Sequence, residues 1–169
     1  MKNFLEKKYI TIPVIMFATI GCLLFFFKSQ IFLFIWNLNS ENPVTWNNVR
    51  VHLDNNMIYK IDEGGIVLIY WDKVPDGSMS ISKLTIDNPS KIIDVLIKQD
   101  YLILSSQFES LNGHKSIFVK HKKRNQNDLH QTIYVIPFNI LIHFSGPEES
   151  YPLFQDVINK LEFLACRAS

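Results

Sequence analysis

The hydrophobic pattern divides the chain near position 36. From Ile10 to Phe27 the run ITIPVIMFATIGCLLFFF holds 18 residues without a charge, and IFLFIW (Ile31–Trp36) follows after Lys28, Ser29 and Gln30. A helix needs roughly 20 apolar residues to cross about 30 Å of hydrocarbon, and a lysine at its end can lift its ammonium to the headgroups. Pro13 falls in the first turn, where its missing donor costs little. Tyr9 and Trp36 stand where interfacial aromatics stand. The pattern predicts one N-terminal transmembrane helix: residues 1–9 a cytoplasmic tail, 10–36 a transmembrane and interfacial segment in the lipid bilayer, 37–48 a linker. Lys2, Lys7 and Lys8 precede the run and only Glu6 offsets them. Cytoplasmic flanks carry the basic excess, so residues 49–169 read as an extracytoplasmic domain, periplasmic in a single-pass protein of a bacterial inner membrane. No A-x-A site follows the run, which argues against a cleaved signal peptide. Thr19-Ile20-Gly21-Cys22 looks like a degenerate lipidation box, but LLFFF is a poor mature start, and Cys22 reads as a small apolar residue.

Beyond the linker the period changes. Val49, Val51 and Leu53 alternate with Arg50, His52 and Asp54, as in a strand with one wet face. Met57–Ile61, the almost wholly apolar Ile66–Trp71 and a less regular strand through Met79, Ile81 and Leu84 follow, separated by Asn-Asn, Gly-Gly and Pro-Asp-Gly turns. Asn88-Pro89 suits a helix start, and Ile92, Ile93, Leu96 and Ile97 form one stripe behind it. Strands are predicted at Tyr101–Ser105, Ser116–Val119, Thr132–Ile136 and Ile140–Ser145, with Lys120–Asp128 a solvated loop. A last helix starts at Pro152, with Phe154, Val157, Ile158, Leu161 and Leu164 on one face. Most connections are too short for parallel crossovers, so the sheet is mainly antiparallel. Two amphipathic helices must cover it, which gives an α+β layered domain.

Charge and chemistry narrow the function. Residues 37–169 carry 13 basic against 15 acidic side chains, which excludes a strongly basic nucleic-acid binder. Cys22 falls in the predicted membrane segment and Cys166 near the far end of the outer domain, so no internal disulfide is expected. His52, His114, His121, His130 and His143 show no metal-ligand spacing, and Asp54–Asp62 lacks the ligands of a calcium loop. There is no nucleophile elbow and no glycine-rich phosphate cradle. Ser145 ends a strand without an evident base, and His143 alternates with apolar neighbours. The chain reads as a non-enzyme with no catalytic, cofactor or metal residues. Binding of a protein partner falls instead to the aromatics near turns, Tyr70, Trp71 and Tyr151, and to the basic run Lys120, Lys122, Lys123 and Arg124.

Trp46 before the strand Val49–Leu53, the meander through Tyr70-Trp71, the helix after Pro89 and the closing Ile140–Phe144 and Pro152–Phe163 resemble the PsbP/Mog1-like α/β/α sandwich. That resemblance spans roughly residues 44–165 and implies a small non-enzymatic domain. An anchored outward domain of this size also resembles the immunity proteins of bacterial type VI secretion systems. This resemblance implies a membrane-tethered protein that blocks a secreted effector toxin by stoichiometric binding. The alternatives are a structural or assembly component of an envelope complex and, behind it, a small envelope enzyme.

Overall fold

The computed structural model describes residues 28–70, 77–86, 88–124 and 128–164. The chain divides into two units, Met1–Ser40 and Glu41–Ser169. In the first, α1 (Lys28–Asn39) is a helix of 12 residues, about 18 Å long at about 1.5 Å per residue. Phe32 and Trp36 stack one turn apart, and the Asn39 amide donates to the Ile35 carbonyl.

Among the described residues no helix is long and apolar enough to cross a membrane. This corrects the expected transmembrane helix. The part of residues 10–36 that is described forms a helix that falls well short of a bilayer's hydrocarbon thickness. The apolar run of residues 10–27, with Cys22, lies outside the described residues. The single-pass inner-membrane topology, the bilayer contact through residues 10–36 and the periplasmic placement are withdrawn. The membrane-tethered immunity protein of type VI secretion and the envelope-complex alternative both required that anchor, and they are withdrawn with it.

The second unit is an α+β sandwich. Its strands are β1 (Val44–Trp46), β2 (Val49–Val51), β3 (Met57–Asp62), β4 (Gly65–Tyr70), β5 (Ser78–Lys83), β6 (Tyr101–Leu111), β7 (His114–Lys123), β8 (Leu129–Val135), β9 (Ile140–Gly146) and β10 (Glu162–Phe163). Helix α2 (Lys91–Lys98) separates β5 from β6, and α3 (Tyr151–Asn159) follows β9. Seven strands form one antiparallel sheet in the order β3-β4-β5-β9-β8-β7-β6, and β1-β2-β10 form a small second sheet. Short turns enforce this topology. Leu111 pairs with His114, so the hairpin closes on Asn112-Gly113, both with positive φ, as a two-residue turn with the hand of the strands requires.

One face of the large sheet carries the main core. Ile66, Leu68, Ile81, Ile142 and Phe144 are buried there against Phe154, Val157 and Ile158 of α3 and against Val44, Val49 and Val51 of the small sheet. On the other face α2 sets Ile92 and Leu96 against Ile117 and Val119. The Asn88 side chain accepts from the Ser90 amide at 3.0 Å just before its start, but the helix begins at Lys91 with Ser90 as its cap, so Pro89 precedes it and does not fill the first helical position.

Several local boundaries differ from expectation. The stretch read as a linker contains β1, and Asn42 bonds both the amide and the carbonyl of Leu53. The solvated loop expected from Lys120 begins only after Lys123, because β7 and β6 pair along ten and eleven residues. The last helix stops at Asn159. Leu161 is buried from the turn beyond it, and Glu162–Phe163 pair with β2.

Candidate functional site

Strand pairing builds a polar cluster on the α2 face. His121 on β7 lies opposite His130 on β8, and Thr132, two residues along β8, lies opposite His143 on β9. Side chains two apart on a strand share a face, so three adjacent strands bring three imidazoles together. Ring centroids stand 5.6 Å apart for His121–His130 and for His121–His143, and 5.5 Å apart for His130–His143. Tyr101 meets His121 edge-on at 4.5 Å and His130 at 5.1 Å.

The Thr132 hydroxyl joins two of the rings. Its Oγ1 is 2.8 Å from His121 Nε2 and 2.9 Å from His143 Nδ1. His121 is fully buried and His130 nearly so, yet His121 Nδ1 and both ring nitrogens of His130 have no protein partner. Burial holds all three imidazoles in the neutral form: His121 is pushed down to about 3 and His143 to about 4, and His130 is also lowered. The neighbouring imidazoles lower His121 and His143 further. Asp128 opposes the shift of His130, and Lys123 adds to it. Among the described residues no group of three His, Cys, Asp or Glu side chains can hold a metal ion.

Beside the cluster, a cavity of about 270 Å³ opens under α2. Leu84, Ile92, Val95, Leu96 and Leu141 form its aliphatic wall, and Ser80, Gln99, Tyr101, Thr132 and His143 its polar side. No charged side chain lines it.

The second feature is the edge at β6, which no other strand pairs among the described residues. The other edge strand, β3, is short and carries Lys60 and Asp62. Strand β6 is 11 residues long, YLILSSQFESL, with Glu109 its one charge and no proline. Leu102, Leu104 and Phe108 are exposed on it, and Leu104 is the extra residue of a bulge between Ile103 and Ser105. Natural sheets usually guard such edges with lysine, proline or a covering element.

The residues singled out from sequence fall in different places. Lys120 and Lys122 lie opposite Ser105 and Leu102 on the strand beside that edge, and Lys123 lies opposite Tyr101. Arg124 follows, 3.5 Å from Asp100. Tyr70 and Tyr151 are on the α3 side instead. Tyr70 donates to the Asp54 carboxylate and packs edge-on to Phe154. Tyr151 donates to Gln155 and packs on Phe144, and burial pushes its hydroxyl up to about 12. Trp71 lies outside the described residues. Sequence reasoning missed the histidine cluster because it placed His121 in a loop. The available signal was the cross-strand match of His121 with His130 once that hairpin is extended to Lys123.

No protein-family profile and no curated protein sequence matches the chain. Among solved structures it is similar to the solution structure of cyanobacterial PsbP (CyanoP) from Synechocystis sp. PCC 6803, at 14% identity, covering 75% of this chain and 99% of that one with a TM-score of 0.42. This is a weak and partial structural resemblance to the PsbP fold.

Proposed function

We propose that the domain is a non-enzymatic binding module that adds an extended, acidic segment of a partner protein to the edge of β6. The observation that carries this reading is the separation of charge around that edge. Residues 101–124 hold five basic side chains and one carboxylate, while the rest of residues 37–169 holds eight basic and fourteen acidic. An edge strand offers unpaired N–H and C=O groups to any extended chain, and side-chain complementarity then selects among chains. Lys120, Lys122, Lys123 and Arg124 favour carboxylates on the incoming strand. The same excess disfavours a second copy docking edge to edge, because two basic hairpins would meet.

Ser106 and Gln107 provide the test. Neighbouring residues of an antiparallel strand point their N–H groups to opposite sides, so one of the two faces β7 and the other faces outward. With the full chain, fluorescence anisotropy of a labelled peptide of alternating Glu and Val should show saturable binding, weaker at high salt, and none for its Lys-Val counterpart. Proline at the outward position should abolish binding while leaving thermal stability nearly unchanged, since an edge strand tolerates it there. Lys120→Glu with Lys122→Glu should reverse the peptide preference. Binding that survives both proline variants would overturn the edge reading.

A further inference from the structure

We infer that the cavity beneath α2 is a binding site for a small neutral molecule with an apolar ring and one hydroxyl group, of the phenol class. Its size sets the first limit. An apolar cavity of roughly 150 Å³ holds a benzene ring, so about 270 Å³ has space for one ring and its substituent. Charge sets the second. No charged side chain lines the cavity, and a buried ion without a partner is strongly disfavoured. The aliphatic wall, contributed mainly by α2, then provides most of the contact area.

The polar side selects the hydroxyl. Thr132 has one proton to donate, so the chain His121–Thr132–His143 runs in one of two directions. When Thr132 donates to His143 Nδ1, the proton of that ring sits on Nε2, which becomes a donor. When Thr132 donates to His121 Nε2, His143 Nδ1 donates back to the threonine and Nε2 becomes an acceptor. A ligand hydroxyl both donates and accepts, so it pairs with His143 in either arrangement, where an ether or an alkyl group cannot. His121 and His130 stand behind this pair as buried neutral rings, and Tyr101 covers both. They keep charge away from the site. The three orphaned ring nitrogens mark a cluster left polar where apolar side chains would have packed without loss.

The test uses the full chain at pH 7.5, with phenol, toluene, benzoate and zinc chloride as probes. Calorimetry measures affinity, and amide shifts in two-dimensional NMR locate the site. Phenol should saturate and move the amides of Val95, Thr132 and His143, binding roughly threefold to tenfold tighter than toluene, the worth of one added hydrogen bond. Benzoate should not bind. His143→Leu should erase the preference for phenol and leave toluene binding in place, while His143→Gln, which can still donate and accept, keeps the preference. Val95→Phe, which fills the cavity from a half-buried helix position, should remove both ligands without unfolding the domain. Equal affinities for phenol and toluene, shifts elsewhere in the molecule, or no saturation would overturn the inference. Stoichiometric zinc binding that broadens all three histidine ring signals would overturn it as well, by making the cluster a metal site.

Discussion

The two faces of the large sheet are made of the same strands and have opposite characters. On the α3 side, Met57, Ile66, Leu68, Met79, Ile81, Ile142 and Phe144 close with Phe154 into a continuous apolar core. On the α2 side, a smaller apolar group around Ile92 and Leu96 gives way to three histidines, a threonine and a cavity. Alternation along β7, β8 and β9 produces both at once, since each strand sends apolar residues one way and mixed residues the other. The α3 face has little polar chemistry to offer. The α2 face gives up packing to keep neutral polar groups under a short helix.

Truncating the apolar face should give the largest effect. Phe154 is fully buried against Tyr70 and Phe144, so Phe154→Ala should cost about 3–5 kcal/mol of unfolding free energy, measured by urea denaturation. A loss under about 1 kcal/mol would place the main core elsewhere.

Acid probes the other face. His121 and His143 are lowered in the folded state to about 3 and about 4. Below about pH 6.5 the unfolded chain takes up protons that these folded rings refuse, so stability must fall as pH falls. The loss starts near 6.5, continues down to the folded values and levels off beneath them. Between pH 7 and pH 5 it should amount to something on the order of 3 kcal/mol for the pair. Thermal melts at pH 7, 6 and 5 measure it. His143→Gln should flatten the acid limb, and a stability profile flat from 7 to 5 would contradict the buried neutral cluster.

A surface change should do least. Arg124 and Asp100 are both well exposed, so Arg124→Ala should change stability by less than about 0.5 kcal/mol. The same variant should slow association with the acidic peptide at low salt, because an exposed charge acts on encounter more than on the folded state.

Much of the domain was legible beforehand because it depends on local pattern. Strand alternation, the stripe of Ile92 and Leu96, and the antiparallel arrangement implied by short turns all follow from neighbours within a few residues. Hydropathy predicted a spanning segment within residues 10–36; residues 10–27 lie outside the described residues, and the described helix Lys28–Asn39 is not long and apolar enough to cross a membrane. Likewise, the charged run KHKKR looked like loop although most of it is strand, because pairing with β6 and β8 supplies backbone bonds that outweigh its polarity.

The sequence by itself determined the period of each element, the apolar faces, the turns and the distribution of charge between one hairpin and the rest. Only the tertiary structure decided that β6 ends the sheet, with no further strand paired to it among the described residues, and that His121, His130 and His143 share one face. The reason is that strand order and register depend on contacts between residues distant in sequence. A one-residue slip in β8 would have sent His130 and Thr132 into the apolar core and left their neighbours Gln131 and Ile133 beneath α2.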